Sequence, residues 1–348
     1  MKFGEITDKI EIYEPFKYEN QIRFDANESY NDINVEIKDI IAKNIDKINL
    51  NRYPDPYSLD LCKSFIKFYG LDIDIDNICA GNGSDELISI IMQNLIPKNS
   101  KILLLSPDFS MYKFYAQTSE LETIYIEKND LLDYNINDLI DNININKVDF
   151  VIISNPCNPT GQGKKRAEII KLLDNCSCMI CIDEAYMDFW DESILDLCGK
   201  YENLIVLKTC SKAMGLASLR VGFAISTKKV INMIKKVKSP YNVNTFSQSA
   251  AKILLDEKEW IIKNIENQKR MKIALFDDLN DIKCEKIKVF DTYTNFIVIK
   301  SLIAEEIYKY LLKNNIVIRY TGNLLRITAS CESDNKKLVD NIEKWCKK

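Results

Sequence analysis

The sequence predicts an α/β protein in two parts: a large domain on a mainly parallel, doubly wound sheet, and a smaller α+β domain. Three observations point there. Between about residues 77 and 226, short β-rich runs alternate with helical ones. Several of those runs are apolar throughout, as strands covered on both faces should be. After about residue 247 the alternation stops, and a long helical stretch leads into a cluster of short strands. A chain of 348 residues is long enough for one large domain and one small one.

The elements follow in order. NICAG (77–81) reads as a strand end. SDELISIIMQNLI carries Leu87, Ile88, Ile91 and Leu95 at helical spacing and is expected to start at a Ser84 cap. KILLLS (101–106), ETIYIE (122–127), DFVIIS (149–154), MICIDEA (179–185), NLIVLKT (203–209) and RVGFAIS (220–226) read as strands. IKVF, NFIVIK, a helix near 303–314, IVIRY and LLRIT make up the small domain. The first thirty or so residues have no clear place of their own and are expected to pack with it. The expected division is therefore 45–246 for the large domain, with 1–44 and 247–348 forming the small one.

Composition narrows the function. Formal charge is 47 − 51 = −4, which gives no reason to expect a nucleic-acid or anionic-membrane partner. No apolar run is long enough to span a bilayer and no signal-peptide pattern opens the chain, so a cytoplasmic protein is expected. The 11 cysteines sit in apolar stretches and read as reduced core thiols. Cys176, Cys178 and Cys181 lie close together but run into a buried strand, so no metal is expected there. The chain has no histidine. That excludes Ser-His-Asp and Cys-His schemes and histidine-ligated metals. Acid–base work must fall to Lys, Asp, Glu, Tyr, Cys or a cofactor.

Of only 10 glycines, six lie in polar junctions: Gly81, Gly83, Gly161, Gly163, Gly215 and Gly222. GNGSDE (81–86) joins a strand to a helix and offers free N–H groups near Ser84 and Asp85, either as a plain βα turn or as an anion site. SNPCNPTGQG (154–163) is a stiff turn at a strand's C-terminal end that could also present Asn158 to a ligand. IDEAY (182–186) buries acidic groups, which is costly without a cationic partner. KTCSKAMGLASLRVGF (208–223) is the sharpest signal. A lone Lys212 would read as a surface residue. Here it follows Thr209 and Ser211, precedes Gly215 and lies eight residues before Arg220.

NRYPDP, GNGSDEL, NPCNPTGQ, DEAY, SKAMGLASLRVG, SPYNVN and LLRIT, in this order and spacing, resemble the class I/II aminotransferases. They most resemble the histidinol-phosphate aminotransferases, from about residue 24 to 330. The resemblance implies the aspartate-aminotransferase-like fold type I and a pyridoxal 5'-phosphate cofactor. Lys212 would be its covalent partner and the base that moves the substrate's α-proton. Asp183 would pair with the pyridine nitrogen. Tyr186 and Asn158 would bond the phenolic oxygen, and Phe109 would stack on the ring. Ser84, Asp85, Thr209, Ser211 and Arg220 would hold the phosphate, and Tyr53 would reach the phosphate of a neighbouring subunit in a homodimer. Arg326 would receive the substrate's anion, with Asn27 lining that site. Arg319 is a second candidate arm, against the simpler expectation of a surface ion pair. The substrates implied are a phosphorylated amine, with histidinol phosphate foremost, and 2-oxoglutarate or glutamate.

The segment FDANESYND departs from the family's pattern. Asn27 and Glu28 match, but the expected Pro and Gly do not, which touches substrate choice more than fold. Three alternatives stay open at this level. One is a lyase such as a threonine-phosphate decarboxylase, and another is a transaminase for a different phosphorylated or aromatic amine. The third is a non-catalytic protein of the same fold.

Overall fold

The computed structural model describes residues 19–348; the part of the expected small domain formed by residues 1–18 lies outside the described residues. The described chain opens with β1 (Ile22–Phe24), α1 (Val35–Ile45) and α2 (Leu59–Tyr69). It then alternates through β2 (Ile78–Gly81), α3 (Ser84–Ile90), β3 (Lys101–Ser106), α4 (Ser110–Thr118), β4 (Glu122–Glu127) and α5 (Ile136–Asn146). The alternation continues through β5 (Phe150–Ser154), α6 (Arg166–Asn175), β6 (Met179–Asp183), β7 (Leu204–Thr209) and β8 (Gly222–Ile225). Then come α7 (Lys228–Val237), α8 (Thr245–Asp256), the long α9 (Lys258–Asn280), β9 (Lys288–Phe290) and β10 (Phe296–Lys300). The chain closes with α10 (Ala304–Lys313), β11 (Ile316–Thr321), β12 (Leu324–Thr328) and α11 (Glu332–Cys346).

Strands β2 to β8 form one sheet in the order β2-β8-β7-β6-β5-β3-β4. Only β8 runs against its neighbours. The other pairings, β3 with β4 and β5, and β6 with β5 and β7, are parallel. Strand order reverses between β3 and β5, a switch point beyond which open α/β sheets bind ligands at their carboxyl ends. Alternation along buried strands sends Ile180, Ile182, Leu204 and Val206 into one core. Cys181, Ile205 and Leu207 enter the core on the other face, with Leu87, Tyr112 and Ile231. Each fully buried aliphatic side chain contributes about 1.5–3 kcal/mol, so the middle strands are the fixed frame of the molecule.

The second sheet has the order β1-β11-β12-β10-β9. The N-terminal strand β1 joins it in parallel with β11, Phe24 opposite Ile318. One face of this sheet packs Ile297, Ile299, Ile318 and Leu325 against helices. The other face packs Phe296 and Val298 against Tyr186, Phe189 and Ala213 of the larger unit. Helix α9 contributes Ile261 to the first core and Leu275 and Leu279 to the small one. Ile37 of α1 and Ala251 and Leu254 of α8 also enter the first core. Among the described residues no helix is long and apolar enough to cross a membrane.

Candidate active site

The carboxyl ends of β5, β6 and β7 open onto a cavity of about 430 Å³. Ten residues singled out in the sequence line it: Ser84, Asp85, Phe109, Asn158, Asp183, Tyr186, Thr209, Ser211, Lys212 and Arg220.

One end of the cavity is built for an anion. Ser84 is not the helix cap: Gly83 caps α3 at φ 86°, and no side chain closes the first turn. The free N–H groups of that turn therefore stay available, with the helix's positive end behind them. A side chain on Gly83 would press to within 2.7 Å of the Arg220 guanidinium, and one on Gly222 to within 2.3 Å of the Ser84 nitrogen. Both glycines thus permit the approach of α3 to β8 and Arg220. Thr209 Oγ donates to Ser211 Oγ at 3.0 Å, and Arg220 Nη1 reaches Ser211 Oγ at 3.5 Å. Two hydroxyls, a guanidinium and a helix N-terminus converge here.

The other end holds a buried carboxylate. Asp183, at the end of β6, is 4% exposed. Its Oδ2 accepts from the Tyr112 hydroxyl at 2.8 Å, and its Oδ1 from the Ala185 N–H at 3.1 Å. Among the described residues it has no cationic partner within ion-pair distance. Burial pushes its pKa up to about 6, against the pull of those two bonds. The neighbouring Glu184 points the other way, where it lies 3.8 Å from Lys208. Lys208 in turn sits 2.8 Å from Asp188, so β6 and β7 are cross-braced by ions behind the cavity. Burial raises the Glu184 pKa and the Lys208 charge offsets part of that rise, whereas Asp183 has two neutral donors for partners.

Phe109 caps α4 and meets Tyr112 edge-on at 5.4 Å. The Tyr186 hydroxyl accepts from Asn27 Nδ2 at 2.7 Å. Burial pushes the Tyr186 pKa up, with the Arg326 charge opposing. Lys212 Nζ donates to the Ala26 carbonyl at 3.1 Å. Desolvation, reinforced by the nearby Arg326 and Arg220 charges, lowers its pKa to about 8. The result is an amine that sheds its proton far more readily than a surface lysine.

Four expected residues lie outside this lining. Asn27, expected at the substrate, is instead wholly buried behind Tyr186; its Oδ1 accepts from Thr328 Oγ at 2.9 Å while its Nδ2 holds Tyr186. Both ends of its amide are thus committed to protein partners. Arg326 donates to Asn158 Oδ1 at 2.5 Å and to the Asp25 carbonyl, with its guanidinium 5.5 Å from the Phe296 ring. It is therefore one side chain removed from the cavity wall. Arg319 is exposed and pairs with Arg326 across β11 and β12. The surface ion pair expected of it is not there: it makes none among the described residues. Tyr53 is 81% exposed and stacks on Tyr241 at 4.6 Å, away from the cavity of its own chain.

Sequence reading missed Tyr112, the direct partner of Asp183. Its only signal was an aromatic hydroxyl three residues beyond Phe109 on the same helical run. It noted Glu28 only as a match to the family's pattern; Glu28 lines the cavity and forms an ion pair with Arg23 at 2.6 Å.

Comparison with known proteins shows the family. The model of the family "Aminotransferase class I and II" matches residues 19–342. A histidinol-phosphate aminotransferase of Clostridium kluyveri is 41% identical over 350 residues, covering 99% of both chains. Among solved structures, the histidinol-phosphate aminotransferase of Sinorhizobium meliloti, in complex with pyridoxal-5'-phosphate, superposes with a TM-score of 0.90 at 17% identity, covering 99% of this chain and 98% of that one. That of Clostridium acetobutylicum gives 0.83 at 26% identity, covering 93% and 98%.

The site fits the cofactor of that family: a buried carboxylate lacking a cation suits a protonated pyridine, and the glycine-opened helix start with its hydroxyls and guanidinium suits a phosphate. The chain belongs to the class I and II aminotransferases and is a pyridoxal-phosphate-dependent enzyme of that family.

Proposed function

We infer that the chain moves an amino group between histidinol phosphate and 2-oxoglutarate, as a cytoplasmic homodimer. The observation that carries the substrate reading is the Arg319–Arg326 pair, two cations brought to one face of the small sheet beside the cavity. Arginine forks suit phosphate and carboxylate alike. A site that must accept a phosphorylated amine and then a dicarboxylic acid needs such a receptor. The full-length relative at 41% identity acts, by its name, on the same substrate.

The same reading gives each residue a role. Pyridoxal phosphate, when bound, supplies the electron sink that makes the substrate's α-proton acidic. Ser84, Asp85, Thr209, Ser211 and Arg220 hold its phosphate. Asp183, oriented by Tyr112, keeps the ring nitrogen protonated, and Phe109 covers the ring face. Tyr186, held by Asn27, and Asn158 face the phenolic oxygen. Lys212 gives and takes the α-proton, a task suited to an amine that titrates near 8. Arg326 binds the substrate's anion with Arg319 as the second arm. Asn27 acts through Tyr186 and does not itself touch substrate.

The dimer reading rests on Tyr53 and on exposed apolar residues of the segment around it. Val35, Leu50 and Tyr53, close in sequence, are 68%, 87% and 81% exposed, and a partner subunit would cover such residues. In the dimer Tyr53 would reach the partner's phosphate site. All 11 cysteines are unpaired, which suits a reducing compartment.

The test is a set of single-turnover half-reactions followed by the cofactor's spectrum. Histidinol phosphate and glutamate should each convert the enzyme to its aminated form without releasing carbon dioxide. Carbon dioxide release, or inertness toward histidinol phosphate with brisk reaction of another amine, would replace this substrate reading.

A further inference from the structure

The loops that follow β3, β4 and β5 meet beside the cavity in a buried cluster that amino transfer leaves unused. Lys128 follows β4, Asp108 precedes Phe109, and Cys157 precedes Asn158. The Lys128 and Asp108 side chains are 1% and 3% exposed, and Cys157 is 2% exposed. Lys128 Nζ lies 2.8 Å from Cys157 Sγ and donates to the Pro107 carbonyl at 2.9 Å. It stands 3.8 Å from Asp108 Oδ2, an oxygen with no hydrogen-bond partner. The other Asp108 oxygen accepts from the Ser154 hydroxyl and the Phe109 N–H. Among the described residues no other cysteine has a lysine amine within hydrogen-bonding distance.

A nitrogen–sulfur contact of 2.8 Å is as short as an ordinary N–H···O bond, although sulfur is the larger atom. It is far too long for a direct N–S bond. It suits two atoms that share one bridging oxygen. We propose that Lys128 and Cys157 are a modification site, at which peroxide forms a covalent Nζ–O–Sγ bridge that thiols reverse.

The chemistry balances with two molecules of peroxide. One converts the Cys157 thiol to a sulfenic acid and leaves as water. The other hydroxylates the neutral Lys128 amine and also leaves as water; the proton that lysine must first shed passes to Asp108. The new N–OH oxygen attacks the sulfenic sulfur, the S–O bond forms, and the sulfenic hydroxyl departs with the hydroxyl proton as a third water. Four electrons leave the two side chains. Four equivalents of a small thiol return them, giving thiol, amine, one water and two disulfides.

Burial raises the Cys157 thiol, while the Lys128 charge works against that rise. Burial also keeps bulky oxidised partners away, so a small oxidant is the class selected. The Ser154 hydroxyl belongs both to this cluster and to the cavity wall, which puts the pair one side chain from a path for peroxide. Bridging removes the Lys128 charge and, with the lysine's proton taken up, leaves Asp108 as a buried neutral acid. The two residues next in sequence, Phe109 and Asn158, both line the cavity, so the bridge acts on the floor of the site.

The experiment treats the cofactor-loaded enzyme with hydrogen peroxide, then maps its peptides by mass. The expected product joins the Lys128 and Cys157 peptides with one oxygen gained and two hydrogens lost. It disappears on treatment with dithiothreitol. Activity and the cofactor spectrum should change in proportion to the bridged fraction and recover with it. Lys128→Arg and Cys157→Ser should each yield none of the joined peptide. Oxidation of Cys157 with Lys128 left free, or a joined peptide without the added oxygen, would overturn the proposal. Full bridging with unchanged activity and spectrum would overturn its link to the site.

Discussion

Arg319 and Arg326 are direct partners across the antiparallel β11–β12 ladder, so their side chains leave the same face of the small sheet. Arg326→Ala should weaken both half-reactions by about 2–4 kcal/mol, the range for breaking a desolvated charge pair. Arg326→Lys should recover only part of this, since an ammonium lacks the fork. Arg319→Ala, removing an exposed cation, should cost nearer ~1 kcal/mol. Single-turnover kinetics of each half-reaction check all three.

Asp183 trades stability for function. Its pKa is raised to about 6, so the empty protein carries the cost of its buried charge above that pH and sheds it as the group protonates below. Asp183→Asn should therefore stabilise the cofactor-free protein at pH 8, by up to about 3 kcal/mol. The gain should shrink as pH falls through 6 and vanish once the Asp183 carboxyl is protonated in the folded and the unfolded chain alike. The same variant should lose at least ~3 kcal/mol of transition-state stabilisation when loaded. Denaturant melts of both proteins across pH, with turnover at pH 8, measure the two halves.

Lys212 sets the pH at which the empty protein captures its cofactor. Only the neutral amine attacks an aldehyde, and the neutral fraction rises as pH climbs through the lysine's pKa. Capture should accelerate up to about pH 8 and then level, well below the ordinary lysine value of 10.5. Arg326→Ala removes a charge that lowers this pKa, so the midpoint should move up. Stopped-flow mixing with pyridoxal phosphate across pH reads both; a midpoint near the ordinary lysine value would contradict the desolvated environment.

Tyr53 tests the shared site. It is exposed in its own chain and does not line its own cavity. An inactive Tyr53→Ala protein mixed with an inactive Lys212→Ala protein should regain activity, because a mixed dimer has one site with neither lesion. A fully active monomer at assay dilution, seen by sedimentation, would remove the basis for this.

Much of this was legible in the sequence, for a physical reason. Period-two burial and unbroken apolar runs are local signals, and strands such as Lys101–Ser106 and Glu122–Glu127 fall where those signals put them. So do Gly83 and Gly222 at the anion end of the cavity. What the sequence hid was partner choice between distant residues. Asn27 and Tyr186 are 159 positions apart, and Tyr112 and Asp183 are 71 apart. Nothing local shows that Asn27 turns inward to hold a tyrosine or that Tyr112 steadies a carboxylate. Ser84 misled in the other direction. Serine is a favoured cap, but Gly83 takes that position because only a residue tolerant of φ 86° leaves room for Arg220.

The central claim is that Lys212 is the covalent partner of the cofactor. Borohydride reduction of the loaded enzyme, followed by peptide mass mapping, tests it most directly. The account predicts one reduced cofactor per chain, on the peptide that carries Lys212, and no label or turnover in Lys212→Ala. Label on another lysine, or a Lys212→Ala protein that still transfers amino groups at the native rate, would contradict it.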